Sequence, residues 1–541
     1  MDTRHYWALM SAAVLVAAMA PVVCAQQSCE QLTGLKLSHT TIVSSTLVAE
    51  GPFSASTGLG NAPAVNVPAR CVVKGISKPT SDSEIKFEVW LPAAGWNGKY
   101  QQAGNGGWAG AIPTQSLIEP LRRGYATAAT DDGHAGGATG ASWAVAHPEK
   151  LVDFGYRAVH ETGLQAKAIV RAFYGKDPAR SYFVGCSDGG REALMEAQRY
   201  PKDFDGIVAG APANNWSRLM AGLVWNEQAL LSDPASSVPP AKLPTIQKAA
   251  LAACDALDGV KDGLIEDPRA CHFNPAVLTC KGGDSSECLT AAQVEAVRKI
   301  YSGAKNPRTG AQIFPGYPAG TEAGPGGWSL WITPAQPQAA VQFMFGNSFY
   351  ADAVFENPKW DFRTMNFDKD VATGDEKGGS ILNSTSPDLR AFRARGGKLI
   401  QYHGWGDAAI SALSSIDYYG SVRTFLAKDP GVGVDDFYRL FMVPGMGHCG
   451  GGVGPDNFGQ GGPGGGETSP DPEHNIVSAL DRWVEKGTAP NKIIGTGTVV
   501  GEPSKTLTRP LCPYPQVAHY KGTGDPNDAA NFTCAAPGIS Q

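Results

Sequence analysis

Serine is a weak nucleophile until a base takes its proton. A chain that uses one therefore also needs an acid to orient that base and donors for the oxyanion. Ser187 stands in Gly185-Cys186-Ser187-Asp188-Gly189, a G-x-S-x-G pattern. A β-prone run, 181–184, precedes it, and a helix-like segment, 191–199, follows and stops at Tyr200-Pro201. Strand, sharp turn and helix form the context of a nucleophile elbow, which holds its serine strained and exposed. An ordinary βα turn capped by serine uses the same residue types, so the pattern needs partners elsewhere in the chain.

Two partners follow apolar, strand-like runs. Asp407 comes after 398–404, and His448 comes after 438–443. Ser187, Asp407 and His448 thus stand in the Ser…Asp…His order of the α/β-hydrolase architecture. His134, His160 and His403 compete as bases; His403 shares the loop of Asp407 and is expected beside the site rather than as the base. Cys186 directly precedes the serine and Cys449 directly follows the histidine. A Ser–His hydrogen bond would bring these cysteines near enough for a disulfide to hold both loops in register. For the oxyanion, one donor is the backbone N–H of Asp188, and the second falls to Gly106 or Gly107 after an early strand. A plain hairpin turn is the alternative for those glycines.

The positioning elements can be read in order. Residues 85–92 alternate with period two and predict a half-buried strand; 99–103, 124–130 and 207–209 predict further strands, and 160–174 an amphipathic helix. Strands alternating with helices predict an α/β fold with a mostly parallel sheet covered on both faces. The rhythm breaks after Pro212, and 213–394 reads as an inserted lid domain. The α/β-hydrolase core would then comprise 26–212 and 395–541.

Among 541 residues, 42% are hydrophobic, which is ample for a large core. A net charge of -6 with 18% charged residues gives no sign of nucleic acid or an anionic membrane as the main partner. Residues 1–25 read as a secretory leader: Arg4 and His5, an apolar run, then Val23-Cys24-Ala25. A retained anchor is the alternative, although Ser11 and Pro21 interrupt the run and no later stretch is long enough to span a bilayer. One of the 11 cysteines lies in the leader, so an even number remains, as suits disulfides in a secreted or periplasmic protein. Between Cys254 and Leu264, Asp255, Asp258 and Asp262 crowd three carboxylates together. A hard cation such as Ca²⁺ relieves that repulsion, with backbone carbonyls completing an oxygen shell; a solvated Asp-Gly turn is the alternative.

With these pieces assembled, the chain resembles the tannase and feruloyl esterase family, which also includes mono(2-hydroxyethyl) terephthalate hydrolase. The matching stretches are 185–192, 197–201, 204–212, Gly404-Trp405-Gly406-Asp407 and Gly445-Met446-Gly447-His448-Cys449, within a similarity running from about residue 29 to the end. The resemblance implies an α/β-hydrolase core with a large lid, hydrolysis of aromatic-acid esters, and a Cys186–Cys449 bridge. It also implies the pairs Cys29–Cys71, Cys254–Cys271, Cys280–Cys288 and Cys512–Cys534. It implies structural Ca²⁺ in the lid, bound by the side chains of Asp255, Asp258 and Asp262 and the carbonyls of Val260 and Leu264. Trp328, Trp331, Phe343, Phe345 and Phe349 are aromatic candidates for a lid wall against the substrate. The expected protein is a secreted serine carboxylesterase for hydroxycinnamic or gallic esters. No arginine stands out to grip the free carboxylate of a terephthalate monoester, so that substrate is the runner-up. A non-catalytic binding protein on the same scaffold is the alternative of another class.

Overall fold

The computed structural model describes residues 27–55, 62–429, 431, 433–461 and 469–537; the expected leader lies outside them. Nine strands form one sheet: β1 (Thr40–Val48), β2 (Arg70–Ser77), β3 (Ile85–Pro92), β4 (Lys99–Ala103), β5 (Ala126–Thr130), β6 (Arg180–Cys186), β7 (Gly206–Gly210), β8 (Lys398–Gly404) and β9 (Tyr438–Val443). Their spatial order is β1-β2-β3-β5-β4-β6-β7-β8-β9. From β5 across to β9 every pairing is parallel, whereas β1, β2 and β3 pair antiparallel with one another and β3 pairs antiparallel with β5.

Period-two alternation divides the strands between two cores. Phe183, Ile207, Leu399 and Leu440 face one side, against Ile169 and Val170 of α1 (Ala158–Tyr174) and Leu194 of α2 (Asp188–Arg199). Their neighbours Tyr182, Val208, Ile400 and Phe441 face the other side. Here the cover includes Ile476, Leu480 and Trp483 of a helix near the C-terminus, Ile476–Lys486. Each such side chain contributes about 1.5–3 kcal/mol when fully buried. The sheet therefore fixes the loops at its carboxyl ends firmly.

The sheet is mostly parallel, as expected: five of its eight pairings are parallel, and the three antiparallel ones lie at its β1 end. β3 is buried along nearly its whole length rather than half-buried, since neighbours flank it and both faces are covered. Residues 493–535 add no strand to the sheet, and Pro513 makes a single bridge to Phe441 of β9. They form two separate antiparallel pairs, Ile493–Val499 with Glu502–Leu511 and Val517–Tyr520 with Phe532–Ala535.

Between β7 and β8 the chain leaves the sheet for helices, the longer ones being Trp216–Leu231, Leu243–Cys254, Ala291–Ser302 and Val341–Ser348. Trp216, Leu219, Phe349 and Tyr350 of this excursion pack with Trp108, Ala409 and Ile410, so it rests on the loops that follow β4 and β8.

Candidate active site

At the end of β6, Ser187 sits at φ 66°, ψ -120°, and α2 begins at the next residue. A non-glycine residue there stores about 1–3 kcal/mol of backbone strain. The turn closes so tightly that a Cβ on Gly185 would lie 2.4 Å from the carbonyl oxygen of Gly189, which explains that glycine. Gly404 has the same origin: a Cβ there would stand 2.3 Å from the Met446 carbonyl, where the loops after β8 and β9 meet.

These loops bring the three predicted side chains together. His448 Nε2 lies 2.8 Å from Ser187 Oγ, and His448 Nδ1 lies 2.7 Å from Asp407 Oδ2. Asp407 Oδ1 accepts the N–H groups of Ala409 and Ile410 at 2.8 and 2.9 Å. Burial opposes ionisation of Asp407, but the charges and hydrogen bonds of His448 and His403 outweigh it and hold the carboxyl below its usual range. His403 is wholly buried, with Nε2 3.1 Å from Asp407 Oδ2 and Nδ1 2.7 Å from Ser415 Oγ, so it lies beside the site as expected.

The other two histidines are engaged elsewhere. His134 Nε2 meets the Trp108 carbonyl at 2.7 Å, its ring stacks on Trp143, and burial pushes its pKa down to about 4. His160 pairs with Asp203 at 2.6 Å and stacks on Tyr200. Cys186 and Cys449 form a disulfide with Cα atoms 5.9 Å apart, and the four other pairs implied by the resemblance are bonded too.

The loop after β4 runs against the elbow. The Gly189 N–H donates to the Asn105 carbonyl at 2.9 Å, which sets Gly106 and Gly107 beside the start of α2. As first residue of α2, Asp188 has an N–H with no acceptor inside the helix. Of the aromatic candidates, Trp331 meets the His448 ring edge-on at 5.1 Å, and the Phe345 ring lies against Gly107. Trp328 is buried in the core of the excursion, Phe349 is buried where the excursion meets Trp108, and Phe343 packs on Phe362.

In the acidic loop, Asp255 accepts the N–H groups of Asp262 and Gly263, Asp258 that of Val260, and Asp262 that of Leu264. Burial, and then the charge of Asp262, push Asp258 up to about 6. Arg509 holds one oxygen of Asp262. All the donors are hard oxygens and the Cys254–Cys271 bridge closes the loop, which is chemistry that fits Ca²⁺.

One feature of the site was missed in the sequence. Asp132, Asp188 and Glu192 form a buried carboxyl cluster under the elbow. The signal available was two acids four apart at the start of one helix, a repulsive spacing unless something compensates it.

A serine, a histidine and a buried aspartate in hydrogen-bonded series, on the loops after β6, β9 and β8 of this sheet, define the α/β-hydrolase class. The model of the tannase and feruloyl esterase family matches residues 71–535. An uncharacterized esterase of Xanthomonas campestris is 42% identical, over 97% of this chain and 94% of that one. The mono(2-hydroxyethyl) terephthalate hydrolase of Piscinibacter sakaiensis is 35% identical, over 88% and 86% respectively. The crystal structure of feruloyl esterase B from Aspergillus oryzae matches with a TM-score of 0.85 at 31% identity, covering 94% of this chain and 99% of that one. The chain belongs to the tannase and feruloyl esterase family, and it is a carboxylic ester hydrolase.

Proposed function

We propose that this chain is an exported serine carboxylesterase that hydrolyses esters of aromatic acids, hydroxycinnamic or gallic, through an acyl-enzyme. The observation that carries the reading is the unbroken series Ser187 Oγ–His448–Asp407, at 2.8 and 2.7 Å. Ser187 Oγ attacks the ester carbonyl while His448 Nε2 takes its proton. His448 then gives that proton to the departing alcohol oxygen as the C–O bond breaks. Water, deprotonated by the same nitrogen, attacks the acyl-enzyme and releases the acid. Asp407 fixes the tautomer of His448 and stabilises the imidazolium that forms. The N–H groups of Asp188 and of Gly107 or Gly106 receive the oxyanion.

The excursion over 213–394 acts as the lid, with Trp331 and Phe345 as the aromatic wall over the scissile bond. Ca²⁺ held by Asp255, Asp258, Asp262 and the carbonyls of Val260 and Leu264 would stiffen the lid and take no part in the chemistry. Disulfides and a leader-like N-terminus support export.

The test is initial rates on methyl ferulate, methyl gallate, chlorogenate and a terephthalate monoester, with the Ser187→Ala variant and a covalent serine probe. Turnover of a ferulate or gallate ester, abolished in Ser187→Ala with unchanged circular dichroism, is the expected result. Full activity of that variant refutes the mechanism. The relative from Piscinibacter sakaiensis favours a second reading, terephthalate monoesters, which would be the preferred arm of the same panel if correct.

A further inference from the structure

Beneath the nucleophile lies a group of acids that the proposed mechanism does not use. Asp132, from the loop after β5, and Asp188 and Glu192, from α2, are all buried, with carboxylate oxygens within 4.8 Å of one another. Their cationic partner is Arg191, whose Nε donates to Asp188 Oδ1 at 2.5 Å while its other nitrogens donate to the carbonyls of Phe154 and Gly155. Three ionised carboxylates against one guanidinium would leave two uncompensated negative charges out of reach of water. Buried acids in that position keep their protons.

The hydrogen-bond bookkeeping agrees. Glu192 Oε2 accepts the Asn105 N–H at 3.0 Å. Both oxygens of Asp132, Oδ2 of Asp188 and Oε1 of Glu192 have no donor partner, and the buried Asn105 amide has neither an acceptor for its Nδ2 nor a donor for its Oδ1. The carboxylates of Glu192, Asp132 and Asp188 nevertheless approach within 4.8 Å of one another, close enough for shared protons. A proton shared between two of these acids supplies a donor where the folded chain offers none, since an O–H···O bond uses one oxygen as donor and one as acceptor. Arg191 pairs with Asp188, while burial and the neighbouring acid charges keep a proton on Asp132.

We infer that Glu192 and Asp132 are positioning residues: sharing protons with Asp188, they clamp the 105–107 loop, which carries the second oxyanion donor, to the elbow, which carries the first. Asn105 is the joint, because its N–H meets Glu192 and its carbonyl takes the Gly189 N–H. The inference rests on the esterase reading above and adds a pH limit to it. Other ionisable neighbours are few. Glu196 lies one turn further along α2 and itself faces Asp203 and Lys167, while Asp131 turns away to the N–H groups of Lys86 and Gly133. Burial, and then the neighbouring acid charges, raise Asp132 well above its ordinary value. The clamp is therefore intact at neutral pH and opens when alkali removes a bridging proton.

The test uses the full-length protein and its Glu192→Gln and Asp132→Asn variants. At position 132 an amide donates where the protonated acid did, and asparagine tolerates the left-handed φ of 60° there. The expected result is a native kcat on methyl ferulate that falls at alkaline pH, with that fall flattened in both amides. Glu192→Ala is expected to lose on the order of 10²-fold in kcat with KM little changed, as for a misplaced donor loop. Difference infrared spectra should show a protonated-carboxyl carbonyl band in native protein above neutral pH, diminished in each amide variant. Absence of the band, or an alkaline profile identical in native and amide proteins, overturns the inference. Should Glu192→Ala fail to fold, the amides carry the test. A protein that shows the band and turns over no ester refutes the esterase reading instead.

Discussion

Breaking the Cys186–Cys449 bridge should damage catalysis and stability by separate routes. The bridge spans 263 residues, against 17 for Cys254–Cys271. Loop-closure entropy gives about 5.5 kcal/mol for the first and about 3 kcal/mol for the second. The catalytic effect is local. Ser187 and Cys449 both hold left-handed φ values, 66° and 63°, which cost energy unless the surroundings enforce them. Without the bridge the loop after β9 can relax, and the 2.8 Å contact between His448 and Ser187 is what relaxation would lengthen. A shift near 1 Å costs on the order of 10²-fold in rate. The assay is kcat/KM on methyl ferulate and methyl gallate for the Cys186→Ser/Cys449→Ser protein, with denaturant unfolding and far-ultraviolet dichroism alongside. Unchanged secondary structure, a loss of several kcal/mol and a rate deficit of that order are expected. A kcat/KM within about twofold of native, a difference under 0.5 kcal/mol in barrier, refutes the positioning argument.

Other outcomes follow from the same geometry. Asp407→Asn should lower kcat on the order of 10⁴-fold by releasing the His448 tautomer, measured by pre-steady-state acylation. The native carboxyl, held below its ordinary value, stabilises the fold above the unfolded-state pKa of about 4. That contribution is lost as pH falls through the folded value, so the stability gap between native and Asp407→Asn should narrow in acid. Chelation should lower Tm and added Ca²⁺ restore it, with about 2.7 kcal/mol at a hundredfold excess over Kd, followed by calorimetry; Asp258→Ala should abolish the response. Trp331→Ala should raise KM for aromatic esters about tenfold, and less for acetate esters, in a steady-state comparison.

The sequence determined the chemistry and the order of its parts. A strained turn requires Gly185 before Ser187, period-two apolar runs require strands before Asp407 and His448, and paired cysteines beside two of the three side chains mark loops that must meet. Those signals are local, because turn sterics and strand periodicity act over a few residues, and they were legible without coordinates. Tertiary structure decided what depends on distant packing. It made β3 fully buried, kept the strands of 493–535 off the sheet, and separated Trp331 and Phe345 at the site from Trp328 and Phe349 in the core. It also drew Asp132, some 56 residues before Asp188, into the same buried cluster as Glu192. Whether an acid keeps its proton depends on burial and on the charges around it. Both are set by the folded chain, and no local pattern encodes them.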